Sequence, residues 1–268
     1  MAGAAIVVVG LVVGGVAAWL TRGQWDAAAV DAPPVPGATE TTADAAPVVA
    51  TTPAPSSEPT ATPTPTAVGI DLAQYSTTDP SSLWVVVNKQ HPVDPLDYEP
   101  PDLVSVSGGL VRSVVAPDLA AMLAAAKADG VSIGVRTAYR SYNFQVSVHA
   151  DVVHRSGTAY ADKYSARPGY SEHQTGLALD IHSTADPSCD LKSCFTTTPE
   201  GQWVAAHGWE FGFVVRYTPE NSAVTGYSPE AWHLRYVGRE LAAWMHANGV
   251  ASLEEVFGVS GGSDYPAD

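Results

Sequence analysis

An aspartate stands inside the apolar run Leu177-Ala178-Leu179-Asp180-Ile181, and this position restricts the fold more than any other. A run of this kind reads as a buried strand. A bare carboxylate there is costly unless it is paired or binds a metal. His173 precedes Asp180 by seven residues with Gly176 between them. The chain can therefore turn at the glycine and return as a strand, with both side chains entering one pocket. Some fifty residues later, Glu230-Ala231-Trp232-His233 supplies a second imidazole and another carboxylate. Two imidazoles and one carboxylate leave one position of a tetrahedral zinc open for water, the arrangement of a catalytic rather than a structural site. Glu230 is placed to act on that water.

Each of these residues has a plainer explanation. Asp180 could be a structural carboxylate bonded to backbone or to an arginine. His233 lies in the strand-like run Trp232-His233-Leu234-Arg235-Tyr236, where a lone histidine is usually a satisfied core residue; Glu230, three positions earlier, shifts that balance. Glu172 is a rival base, although solvent exposure accounts equally well for its place beside His173. Ser171, His173 and Asp180 also contain the residue types of a serine hydrolase. The Gly-x-Ser-x-Gly elbow is missing, however.

The 268 residues divide into three unlike segments. Residues 1–22 contain the apolar run Ala2 to Leu20, read as a membrane anchor or signal segment, with an uncleaved anchor preferred. No basic residue precedes the run and Arg22 follows it, so a positive-inside count favours the wrong orientation for an exported protein. A buried core helix is a poor alternative, because the next segment offers nothing to cover it. Residues 23–67, dominated by Ala, Pro and Thr, read as a disordered linker that cannot bury enough surface to offset its ordering entropy. Residues 68–268 are left as the folded domain, long enough to bury most of its surface. The net charge of −15 argues against nucleic acid as a partner and serves solubility. Cys189 and Cys194 could form a small local disulfide in an oxidising compartment, and two thiols at that spacing lack companions for a metal.

Within the domain, Leu83 to Asn88 reads as a strand leading into a Pro-rich wrap. Pro117 to Asp129 reads as a helix stopped at Gly130. Val131 to Ala138 reads as a strand delivering Tyr139-Arg140-Ser141, and Tyr142 to His154 as a helix with Gln145 near its first turn. Leu177 to Ile181 and Phe211 to Tyr217 are expected strands. Thr198 to His207, Glu240 to Ala247 and Ser252 to Phe257 are expected helices. Irregular intervals and the absence of a Gly-rich phosphate loop predict an α+β fold, an antiparallel sheet with packed helices.

The blocks Ser-x-His-x-x-Gly-x-Ala-x-Asp at 171–180, Glu-x-x-His at 230–233 and Tyr139-Arg140-Ser141 upstream closely resemble the VanY-type D-alanyl-D-alanine carboxypeptidases, a zinc peptidase family that includes L,D-carboxypeptidases. The resemblance runs from Val87-Asn88-Lys89 through Tyr98 and Leu103 to Tyr236-Val237-Gly238. It implies a zinc DD-peptidase/hedgehog-like domain with Zn2+ on His173, Asp180 and His233, and Glu230 as general base and later general acid. It implies that Arg140 stabilises the reacting carbonyl or holds the substrate carboxylate. It implies that Gln145, Ser165, Tyr217 and Trp232 line a pocket for a terminal D-alanine. Arg216 and Arg167 are further candidate anion partners. The expected activity is removal of the terminal D-Ala from peptidoglycan stem peptides, by a monomeric domain tethered outside the cell membrane through its N-terminal helix. The rivals are an L,D-carboxypeptidase, a cell-wall endopeptidase, or a non-catalytic cell-wall binding module.

Overall fold

The computed structural model describes residues 69–266. The apolar run and the linker expected before residue 68 lie outside them. Among the described residues, no helix is long and apolar enough to cross a membrane.

The chain forms a hairpin, a four-stranded antiparallel sheet and helices packed on it, an α+β architecture as expected. Strands β1 (Leu103–Val106) and β2 (Gly109–Arg112) make the hairpin. They turn through Ser107 at φ 49° and Gly108 at φ 86°, the paired left-handed residues of a tight two-residue connection. Helix α1 (Ala116–Ala128) follows, with proline in its first turn and Gly130 beyond its end at φ 81°. Strand β3 (Ile133–Thr137) leads to helix α2 (Tyr142–Ser156), whose N-cap Ser141 accepts the Phe144 N–H. Helix α3 (Thr158–Tyr164) precedes a 3-10 turn at Glu172–Thr175 and strand β4 (Ala178–Ser183). Helix α4 (Pro199–His207), strand β5 (Phe213–Tyr217), helix α5 (Ser222–Thr225) and strand β6 (Glu230–Tyr236) continue the chain, closed by helices α6 (Arg239–Asn248) and α7 (Leu253–Phe257).

The main sheet has the order β3-β4-β6-β5, so the two central strands are those carrying Asp180 and His233. Because side chains alternate along a strand, its two faces differ sharply. Leu179, Ile181, Leu234, Phe213 and Tyr236 enter a core shared with Leu119 and Met122 of α1 and Val204 of α4. Residues of opposite parity, Asp180, His233, Arg235 and Arg216, carry the polar groups, all buried. One sheet thus builds the core on one side and a polar site on the other.

Leu83 to Asn88 does not form the expected strand. The segment is buried but irregular. Its carbonyl groups at Leu83 and Val85 accept from the guanidinium of Arg235, and this side-chain pairing replaces a ladder. Cys189 and Cys194 are joined as a disulfide.

Candidate metal centre

His173 sits in the 3-10 turn before Gly176, which takes the left-handed conformation at φ 68° and turns the chain into β4. A Cβ at this glycine would lie 2.9 Å from Arg112 Cγ and 3.1 Å from Leu103 Cδ2, so a close approach of the hairpin also requires it. Asp180 and His233 are directly paired across β4 and β6. Asp180 Oδ1 lies 3.0 Å from His233 Nδ1, and Asp180 Oδ2 lies 3.3 Å from His173 Nε2. The three donor atoms fall within 4.8 Å of one another, and all three residues are buried.

Two sheet irregularities shape this centre. Between the pairs Val215↔Leu234 and Tyr217↔Glu230, β5 spends one residue and β6 spends three. A regular strand would turn Glu230 and His233 to opposite faces, and the extra residues bring Glu230 round to the electrostatic neighbourhood of His233 and Asp180. A second irregularity in β3, between Val135 and Thr137, lies opposite Asp180.

The ring nitrogens are sorted by their partners. His173 Nδ1–H donates to the carbonyl of Ala138 at 2.7 Å, leaving Nε2 turned to Asp180. His233 places Nε2 3.4 Å from Glu172 Oε2 and Nδ1 toward Asp180. Such outer partners select the tautomer and hold the ring of a metal ligand. Tyr217 lies against His233 with ring centroids 4.9 Å apart.

The electrostatics follow from burial and from close charges. Burial raises the Glu230 carboxyl to about 7, with His233 opposing, Asp180 adding and Arg140 opposing. Burial, reinforced by Arg140, lowers His173 to about 4, so its imidazole is neutral at physiological pH and has a free lone pair. Burial alone would lower His233, but its hydrogen bonds to Asp180 and Glu172 outweigh this and raise it to about 9. Asp180 is held well below the usual carboxylate range despite burial, chiefly by His173 and His233.

This donor set fits zinc. Two imidazole nitrogens and one carboxylate oxygen converge, and among the described residues no fourth Cys, His, Asp or Glu joins the cluster. One tetrahedral vertex is therefore left for water or substrate.

Arg140, whose charge acts on His173, Asp180 and Glu230, is one of three expected site residues with an unsatisfied buried polar atom. Arg140 Nε, Gln145 Oε1 and Ser165 Oγ are buried without a hydrogen-bond partner among the described residues. Gln145 Nε2 donates to the Ala166 carbonyl, and the Ser165 carbonyl accepts from His149, which ties Gln145 and Ser165 to one chain segment. The Arg140 N–H donates to the His173 carbonyl. Orphaned buried donors and acceptors are rare, and at a cleft they point to a ligand. Trp232 is half-buried against the core. A cavity of about 940 Å³ is bordered by Lys89, Asp162, Arg167, Tyr227 and Tyr265; His173, Asp180 and His233 do not line it.

Three candidates stand elsewhere than expected. Glu172 is 2% exposed, so solvent exposure does not explain it; its carboxylate is engaged by Arg216 at 2.8 Å, Arg235 at 3.0 Å and His233. That engagement also removes it as a rival base. Arg216 is fully enclosed and pairs with Glu172 and Glu254, so it is not open to an external anion. Arg167 is held by both oxygens of Asp162 at 2.9 Å. The pairing of Glu172 with His233, and of Ala138 with His173, had no sequence signal beyond adjacency to the motifs.

A buried His/Asp/His cluster with an open vertex and a neighbouring carboxylate near pKa 7, on an antiparallel α+β scaffold, defines the centre of a metal-dependent hydrolase. The profile of the VanY family, D-alanyl-D-alanine carboxypeptidase, matches residues 109–239. Bacillus subtilis YodJ is 36% identical over 189 residues, covering 67% of this chain and 68% of its own. The LdcB LD-carboxypeptidase structure superposes with a TM-score of 0.61 at 35% identity, covering 68% of this chain and 88% of that one. A mutant of the vancomycin-resistance D,D-pentapeptidase VanY from the VanB-type cassette, in complex with Zn(II), gives a TM-score of 0.57 at 32% identity, covering 66% and 98%. The chain belongs to the VanY D-alanyl-D-alanine carboxypeptidase family.

Proposed function

We propose that this protein is a zinc carboxypeptidase that removes the terminal D-alanine from peptidoglycan stem peptides. The observation that carries this reading is the placing of Glu230, raised to about 7, beside three zinc-type donors that leave one vertex open. His173, Asp180 and His233 would hold zinc, which would supply a Lewis acid and a water of lowered pKa, about 7.

The chain's own groups account for the remaining steps. Arg140 offers a planar two-pronged donor to a terminal carboxylate, and its Nε has no other partner among the described residues. Ser165 completes that receptor by donating its Oγ–H, while Gln145 Oε1 is left to accept from a substrate N–H. Tyr217 packs against His233 and walls the metal side of the site, with Trp232 behind it against the core. Glu230 takes a proton from the attacking water as the new C–O bond forms. It returns the proton to the departing D-alanine amine as the C–N bond breaks, which leaves one carboxylate and one free amino acid. Carboxylate capture at a fixed point favours an exopeptidase over an endopeptidase and over a binding module without a base.

The same reading puts the domain outside the cell, with 1–22 as its anchor and 23–67 as its spacer. The Cys189–Cys194 disulfide supports an oxidising compartment.

Mass spectrometry of defined pentapeptide and tetrapeptide substrates tests the activity. The pentapeptide should lose one alanine, stop doing so with a chelator, and resume on adding zinc. Loss from the tetrapeptide alone would reassign the protein as an L,D-carboxypeptidase; loss from neither would sink the proposal.

A further inference from the structure

We infer that Glu172 is a positioning residue for the metal centre, which fixes the face that His233 presents to zinc; this rests on His173, Asp180 and His233 being the ligands. His233 has two ring nitrogens and stands between two carboxylates, with Nδ1 3.0 Å from Asp180 and Nε2 3.4 Å from Glu172. An imidazole binds a metal through one nitrogen while the other carries its proton, and the partner of the second nitrogen decides which is which. With Glu172 accepting the Nε2 proton, Nδ1 is the nitrogen left for the cluster. The ring packing against Tyr217 and His173 fixes the plane of His233 but leaves that choice open.

Glu172 is itself held rigidly. Its Oε1 accepts from Arg216 Nε at 2.8 Å and from Arg235 Nη1 at 3.0 Å, so Oε2 is the oxygen turned to His233. Arg235 is anchored by the Leu83 and Val85 carbonyls. Arg216 is anchored by both oxygens of Glu254 on α7. Two buried arginines hold Glu172 in place, which suits a fixed acceptor and not a group that must move with a proton. A carboxylate that served only to neutralise Arg216 and Arg235 would need no oxygen on the imidazole.

Zinc affinity measured by competition with a chromophoric chelator separates these roles. Glu172→Gln should weaken zinc binding by roughly 10- to 100-fold, whereas Glu254→Gln, which disturbs the same arginine without touching His233, should change it by less than about threefold. Equal effects of the two variants, or no effect of Glu172→Gln, would overturn the inference. Should Glu172→Gln not fold, nitrogen-15 NMR of the zinc-loaded unaltered protein decides. The His233 proton should reside on Nε2, and finding it on Nδ1 would overturn the inference. Failure of the unaltered protein to take up one zinc per chain would instead refute the ligand assignment itself.

Discussion

Asp180 and His233 face each other as a directly paired couple on the two central strands, with Oδ1 and Nδ1 3.0 Å apart. Strand pairing thereby brings together ligands that are 53 residues apart in sequence and leaves only His173 to be delivered by a turn. Asp180→Ala should abolish zinc retention and lower activity by more than the roughly 100-fold typical of losing an outer partner. Metal analysis of the gel-filtered variant checks this, and a full equivalent of zinc would remove Asp180 from the ligand set.

Glu230 stands outside the ligand cluster, so Glu230→Gln should keep its zinc while kcat falls by about 10²- to 10⁴-fold. Unimpaired turnover with zinc in place would show that another group moves the proton.

The same carboxyl sets a pH dependence. The basic form of Glu230 is the active one and its fraction grows with pH, so kcat/KM should rise with pH and level off at or below about 7, because a bound cation can only pull the value down. In Glu230→Gln that acidic limb should vanish from the residual rate. A limb that persisted unchanged would belong to a different group.

Stability should show the opposite sign. Raised from the ordinary 4.5 to about 7 by folding, the Glu230 carboxyl costs the metal-free protein stability progressively as pH climbs through that interval. Thermal melts of metal-free Glu230→Gln should therefore show a gain of roughly 1–2 kcal/mol at pH 8, discounted for partial exposure, and none near pH 4. A gain of equal size at both pH values would point to packing instead of charge.

Arg140 is assigned to the substrate's terminal carboxylate, so Arg140→Ala should lower kcat/KM by roughly 10- to 100-fold on free-acid peptides. The unaltered enzyme should discriminate strongly against the C-terminal amide of the same peptide, and the variant should lose most of that preference. Equal discrimination by both would move the carboxylate receptor elsewhere.

No covalent acyl-enzyme enters this chemistry, and penicillin should leave both activity and intact mass unchanged. A stoichiometric adduct seen by mass spectrometry would indicate a serine nucleophile.

Local signals were enough for the elements that carry the site. Ser141 caps α2 and Gly130 stops α1, while the apolar parity of Leu177 to Ile181 marks β4, because caps, glycines and period are written within a few residues of their effect. The hairpin at 103–112 was not anticipated, since its strands are only four residues each and half exposed. Leu83 to Asn88 departs from the expected strand for a different reason. Its composition suits a strand, yet its carbonyl groups are taken by Arg235, about 150 residues away.

The sequence by itself determined the chemistry at stake: two imidazoles, an aspartate inside an apolar strand and a glutamate three residues before the second imidazole, types that suit zinc and a base wherever they meet. Only the tertiary structure decided where each atom points. Register paired Asp180 with His233, the β6 irregularity turned Glu230 onto their face, and burial tuned its proton affinity. It also withdrew Glu172 into an arginine cage. Such outcomes depend on strand alignment, exclusion of water and charges brought close from distant parts of the chain, none of which is encoded in neighbouring residues.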